Sequence, residues 1–225
     1  MGKNVIITGA TGMIGGMILD KCLASNEVQK VTSVVRKPTG RQHEKLVEVV
    51  HTDFLDFSNA DFLQQQDVCY FCIGVYTGQV PRDEFRKITV DYTNAFASAL
   101  RAQNNETAFC FLSGDGADRS EKSRIMFKKD KGVAENILID LHFHRLHIFR
   151  PGYIYPSVPR KEPNRAYVFF RYAYKGLFQY IYPNIGLTSE QLSTAMMHAG
   201  LYGDEKETLE NRDIRRLAKT ILYHS

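Results

Sequence analysis

The sequence predicts an α/β protein built on a doubly wound parallel sheet. Short apolar, β-branched runs alternate with segments of helical spacing as far as Gly152. The first run leads straight into a glycine ladder, Thr8-Gly9-Ala10-Thr11-Gly12-Met13-Ile14-Gly15-Gly16. Later runs stop at Gly74, at Ser113-Gly114 and at Arg150-Pro151-Gly152. Alternation of this kind places helices on both faces of a parallel sheet, joined by right-handed crossovers.

Each element follows from local pattern. Val5-Ile6-Ile7 predicts a buried strand over Asn4–Thr8. Ile14, Ile18 and Leu19 share one face of a helix from near Met13 to Ser25, closed by Asn26. Further strands are expected over Val31–Val35 and Val47–His51, with Asp53 just beyond. A short helix near Asn59–Gln65 precedes a fourth strand, Val68 to Ile73. Phe85, Ile88, Tyr92, Phe96 and Leu100 give Asp83–Arg101 helical spacing. A fifth strand (Ala108–Leu112), a helix (about Ser123–Leu141) and a sixth strand (Leu146–Phe149) complete the alternation.

The character changes after Gly152. Tyr153, Tyr155, Pro156, Pro159 and Pro163 suggest a loop, followed by an aromatic helix over Tyr167–Tyr174. That stripe reads first as packing on the domain or on a twin subunit, and second as a pocket lining or a lipid contact. Thr188-Ser189-Glu190-Gln191 has the form of a helix N-cap, for a helix toward Ala199. A last helix, about Asn211–Tyr223, is expected to pack back on the sheet. The whole, 1–225, reads as one domain in which 152–205 forms a small C-terminal helical extension on the substrate side.

Composition bounds the function. The chain has 225 residues, 44% of them hydrophobic and 24% charged, enough for one α/β domain. A net charge of +4 suits an anionic ligand without arguing for nucleic acid. Cys69 and Cys72 form a CxxC pair, but residues three apart on a strand face opposite ways. No second pair completes a zinc set, so Cys22, Cys69, Cys72 and Cys110 read as reduced core residues and no metal is expected. The opening residues lack a signal-peptide pattern, Ile6 stands where a myristoylation site needs Ser or Thr, and no apolar run is long enough to span a membrane. These features predict a cytoplasmic protein.

The glycine ladder carries the first chemical inference. Glycines three apart between a strand and a helix let the backbone turn tightly and approach a pyrophosphate, with the helix N-terminus aimed at it. Gly9, Gly12 and Gly15 shape that loop, and Thr11, Met13 and Ile14 supply backbone amides; the competing reading is an ordinary tight turn. About twenty residues on, where selection of NAD usually places an acid, stand Arg36 and Lys37. A guanidinium there can grip the 2′-phosphate of NADP, so NADP(H) is expected over NAD(H). The alternative for Arg36 is a solvated surface side chain.

These anchors, with Cys72-Ile73-Gly74, Phe111-Leu112-Ser113-Gly114-Asp115-Gly116-Ala117-Asp118, Lys131-Gly132-Val133-Ala134-Glu135 and Phe149-Arg150-Pro151-Gly152, carry a resemblance over nearly the whole chain. It resembles the atypical or extended short-chain dehydrogenases/reductases of Rossmann fold, within them the Tat-interacting oxidoreductase-like and NAD-dependent epimerase-like group. The resemblance implies that Asp53 and Phe54 contact adenine, and that Gly74 and Val75 pass beside the ribose and pyrophosphate. It also places Pro151 and Gly152 at the cofactor. The family's catalytic set is Ser, Tyr and a Lys four residues after the Tyr. Ser113 and Lys131 match it, Lys131 also holding the nicotinamide ribose. At the tyrosine position stands Phe127, which has no proton to donate. General acid–base help is worth roughly 10²–10⁴-fold in rate, so the ordinary route is expected to be impaired. Tyr76, Tyr153, Tyr155 or Asp115 are possible stand-ins.

Other charged clusters read as bland. Lys128, Lys129 and Lys131 suggest a solvated helix face, and His142, His144 and His147 suggest surface histidines without a carboxylate partner. The leading functional expectation is an oxidoreductase acting on a small carbonyl or sugar-like substrate. The alternatives are a weakly active or inactive NADP(H)-binding regulator or redox sensor, with a homodimer or protein partner, and then a nucleotide-sugar epimerase.

Overall fold

Val5, Ile6 and Ile7 are fully buried because their strand runs through the middle of the main sheet. The computed structural model describes residues 2–75, 78–157 and 186–222. The main sheet comprises β1 (Lys3–Thr8), β2 (Val28–Val35), β3 (Leu46–Val50), β4 (Val68–Phe71), β5 (Ala108–Leu112), β6 (Arg145–Arg150) and β9 (Thr208–Glu210). Its order is β3-β2-β1-β4-β5-β6-β9, every pairing parallel. A separate parallel pair joins β7 (Tyr153–Tyr155) to β8 (Gly186–Thr188).

Side chains alternate between two cores. Val5, Ile7, Val68, Tyr70, Cys110 and Phe149 face the layer formed by helices α1 (Met13–Ala24), α5 (Ser189–Tyr202) and α6 (Asn211–Leu222). Ile6, Cys69, Phe71, Phe109, Phe111 and Ile148 face α3 (Tyr92–Gln103) and α4 (Met126–Asp140). This period of two, with helices on both faces, is the doubly wound arrangement that the alternating apolar runs predict. Cys69 lies in one core and Cys72 packs against the other, so the CxxC pair is divided by the sheet.

Several elements differ from expectation. The stretch of helical spacing begins as α2 (Arg82–Arg86), passes through a π-helical turn at Lys87–Asp91, and continues as α3. Strands β7, β8 and β9 are three residues each, too short for a periodic signal. Helix α5 has the anticipated cap: Thr188 Oγ1 accepts from the Gln191 amide at 3.1 Å, and Gln191 Oε1 accepts from the Thr188 amide at 3.0 Å. The helix packs against α1, β4 and β5.

His147 is buried on β6, its Nδ1 3.0 Å from the Lys206 carbonyl, because β6 is paired on both sides and both faces of the sheet are covered. His144 is exposed and lies 3.6 Å from Glu106, a carboxylate partner distant in sequence. Lys128 and Lys129 are half-buried and Lys131 is buried, so that helix face is not freely solvated. Among the described residues no helix is long and apolar enough to cross a membrane, and no His, Cys, Asp and Glu group suits a metal ion. Tyr76, Pro159, Pro163 and the aromatic stretch 167–174 lie outside the described residues.

Candidate functional site

Strand order reverses at β1, whose neighbours β2 and β4 leave in opposite directions along the chain. Their carboxyl ends therefore frame a crevice, the place where open α/β sheets take ligands. A cavity of about 300 Å³ lies there. Gly9, Ala10, Thr11 and Gly12 form one end, Val34, Val35 and Arg36 come from β2, and Cys72, Ile73, Gly74 and Val75 follow β4. Phe54, and Glu84, Ile88 and Tyr92 from the helical segment, close the other end.

The glycine loop is fixed by close approach. Gly9 has φ +74, and a Cβ there would lie 2.6 Å from the Cys72 carbonyl oxygen. A Cβ on Gly15 would lie 2.3 Å from the Gly9 carbonyl oxygen. The turn closes through the Gly12 amide donating to the Gly9 carbonyl at 2.9 Å. Gly12 caps α1 without a side-chain bond, and no acid occupies the first turn. The amides of Met13, Ile14 and Gly15 precede the first intrahelical donor, Gly16, so they keep the positive end of the helix available to an anion. Their side chains do not line the cavity; any contribution comes through the backbone. The cradle fits a diphosphate, and the flanking cavity fits an adenosine.

Arg36 lines the cavity from the end of β2 and is exposed. Phe54 is buried with its ring 5.6 Å from that of Tyr92. Asp53 is not among the lining residues; its Oδ1 accepts from the Leu55 amide at 2.9 Å. The sequence pattern places Ile88 and Tyr92 on one helix face and gives Glu84 no role. The spacing that marked the first two as one helix face was the available signal, but it does not say that the face meets a cavity.

A second cluster gathers at the carboxyl ends of β5 and β6. Ser113 Oγ donates to Glu135 Oε1 at 2.5 Å. Glu135 is fully buried and also accepts from Arg119 Nε at 2.8 Å and from Arg150, whose Nε lies 2.9 Å from Oε1. Burial alone would raise its pKa, but hydrogen bonds from Arg150, Ser113 and Arg119 outweigh this and hold the carboxyl below its ordinary value. Lys131 Nζ donates to the Leu112 carbonyl at 3.0 Å and sits 4.9 Å from the Phe111 ring centroid. Burial brings its pKa down to about 8, against an opposing pull from Glu135.

Phe127 stands over the same strand end. A Cβ on Gly114 would lie 2.4 Å from Phe127 Cζ, so the tip of the ring presses on the turn after Ser113. Ser113, Phe127 and Lys131 thus come together, but beside the glycine-loop cavity rather than in its lining. Pro151 and Gly152 also lie outside that lining. The Pro151 carbonyl accepts from Asp115, and the Gly152 amide donates to Asn211 Oδ1 at 3.0 Å. Glu135 and Arg150 belong to the sequence anchors, but their ionic role with Arg119 has no local signature, because the cluster is assembled from separate segments.

Residues 9–153 match the NAD(P)H-binding family. The chain belongs to that family. It is 32% identical over 154 residues to Protein HTATIP2 of Rattus norvegicus, covering 67% of this chain and 62% of that protein. It is 30% identical over 152 residues to Protein FMP52, mitochondrial, of Debaryomyces hansenii, covering 66% of each. The chain thus spans slightly less than two thirds of the length of these relatives. Among solved structures, Gre2 of Candida albicans in complex with NADPH superposes with TM-score 0.67 at 17% identity, covering 92% of this chain and 78% of that one. WbmF of Bordetella bronchiseptica in complex with NAD+ gives TM-score 0.68 at 12% identity, covering 99% and 78%. At these identities the likeness concerns the fold alone, a parallel sheet wound with helices on both faces. The chain is an NAD(P)H-binding Rossmann protein.

Proposed function

We propose that this chain binds NADP(H) in preference to NAD(H), and that cofactor occupancy outweighs turnover in its role. One observation carries the second half: Phe127, not a phenol, presses on the turn after Ser113. Ser113 reinforces it, because its proton is already donated to Glu135. An alcohol whose hydrogen points into a buried carboxylate offers lone pairs outward and polarises a carbonyl poorly. A nicotinamide cofactor would supply the hydride chemistry. This chain's residues would hold the diphosphate at Gly9–Gly15, the 2′-phosphate at Arg36 and the nicotinamide ribose at Lys131.

A second reading, a slow reductase of small carbonyl compounds, is favoured by Lys131. It is a buried ammonium with its pKa near 8, hydrogen-bonded to the carbonyl of Leu112, the residue before Ser113. The nucleotide-sugar epimerase reading has no observation of its own here beyond shared fold. A cytoplasmic setting and a homodimer or regulatory protein partner go with the first reading as proposals.

The test combines binding and turnover. Thermal shift should rank NADPH above NADH, and Arg36→Ala should weaken NADPH selectively by about 1.5–3 kcal/mol. The parent should oxidise NADPH negligibly against a carbonyl panel, and Phe127→Tyr should raise that rate. Equal affinity for both coenzymes would overturn the NADP preference. Parent turnover matching that of Phe127→Tyr would overturn the occupancy role in favour of the reductase.

A further inference from the structure

We infer that Glu84 is the residue that reads the purine of the bound dinucleotide, accepting a hydrogen bond from the exocyclic 6-amino group of adenine. The inference rests on the reading that the cavity takes the adenosine half of NADP(H). The cavity has a polar end and an apolar end. At the polar end lies the glycine loop, Gly9 to Gly12. At the other, Phe54, Ile88 and Tyr92 converge, with the Phe54 and Tyr92 rings 5.6 Å apart and tilted by 36°. With the diphosphate held at the glycines, an aromatic base is the part of the ligand that reaches this apolar end.

A base held only by apolar contacts is read by shape alone. Discrimination among purines needs a polar group at its edge. Asp53 is adjacent to Phe54 in sequence, but one oxygen of its exposed carboxylate is engaged by the Leu55 amide and the residue does not line the cavity. Glu84 is the one carboxylate among the described lining residues. It stands one turn before Ile88 and two before Tyr92, on the same face of the helical segment. Among the described residues its side chain takes part in no hydrogen bond or ion pair, so its oxygens remain free to accept.

A carboxylate offers only acceptors. Adenine presents a donor at its 6-position, whereas hypoxanthine presents an acceptor there and moves its donor to ring N1. The distinguishing measurement is isothermal titration of NADPH and of its hypoxanthine counterpart against the parent chain, Glu84→Gln and Glu84→Ala. Glu84 is exposed and unpaired, so both variants should melt like the parent. The parent should bind NADPH about tenfold or more tightly than the hypoxanthine dinucleotide, the size of one hydrogen bond to a charged acceptor. Glu84→Gln, which can donate as well as accept, should narrow or reverse that gap; Glu84→Ala should abolish it by weakening NADPH. Equal binding of both purines by the parent overturns the inference alone. So does an equal loss for both dinucleotides on substitution, which would put the carboxylate on the ribose. Absence of binding by either dinucleotide overturns the nucleotide reading together with the inference.

Discussion

Glu135 shows how a single buried charge organises a strand end. It accepts a hydrogen bond from Ser113 and is held by Arg119 and Arg150, which come from a loop and from β6. Removing one partner of a buried ion cluster costs up to about 3–5 kcal/mol, and here Arg150 would keep only Glu210, and Arg119 only Glu207 and Thr208. Glu135→Gln should therefore lower stability by up to about that much in urea unfolding at pH 7. The sign with pH follows from its depressed carboxyl: the stabilisation is present above the ordinary carboxylate range and is lost as pH falls through the lower folded value. The gap between parent and variant should shrink on acidification; a gap unchanged from pH 7 to pH 3 would count against the cluster. At this scale the sequence was legible where a motif places residues in order. Ser113 and Lys131 lie together as their spacing from the family pattern requires. It was illegible where a role depends on a distant segment, as for Glu135 with Arg150, or for His147, whose burial depends on the elements that flank and cover β6.

Helices and strands were read most reliably where they are long and periodic. Strand β5 runs over the residues its apolar run marks, and β1, α1 and β6 agree within one or two residues. The losses are three-residue strands, whose pairing is set by partners remote in sequence, and the π-helical turn, which keeps helical spacing while adding a residue to the turn. That turn presents Ile88 to the cavity, flanked by Arg86, which bonds the buried Asp130 of α4 at 2.7 Å. The cavity wall is thereby tied to the helix that carries Lys131. At the opposite wall, the junction of β1 and α1 depends on Gly15. Its missing side chain lets the helix start against the Gly9 carbonyl. Gly15→Ala should displace the loop and weaken NADPH by at least about tenfold, read by titration, while far-UV circular dichroism stays native. Unchanged affinity would show that the amides of this turn do not grip the diphosphate.

The whole molecule commits Cys22, Cys69 and Cys110 to its interior and half-buries Cys72 at the cavity wall, and these four thiols set its response to alkali. Burial pushes Cys22 and Cys72 up to about 12, and Cys69 and Cys110 also well above the ordinary value. The folded chain keeps these protons at a pH where the unfolded chain releases them. Stability therefore falls as pH rises past about 8.5–9, each fully titrating thiol adding about 1.4 kcal/mol per pH unit to the slope. Lys131 acts with the opposite sign. Its folded pKa is near 8 against 10.5, so between those values the unfolded chain holds more protons and stability gains. One lysine opposes four thiols, and the balance is a net loss. Urea unfolding in reductant should give lower stability at pH 10 than at pH 8. Lys131→Met, which removes the opposing group, should steepen the decline across that interval even if it lowers the starting value. The interior would have to be wetter than its packing indicates for stability to stay level or rise over the same range. In that case Cys22, Cys69 and Cys110 would also react with iodoacetamide in the folded chain, a measurement made on the same samples.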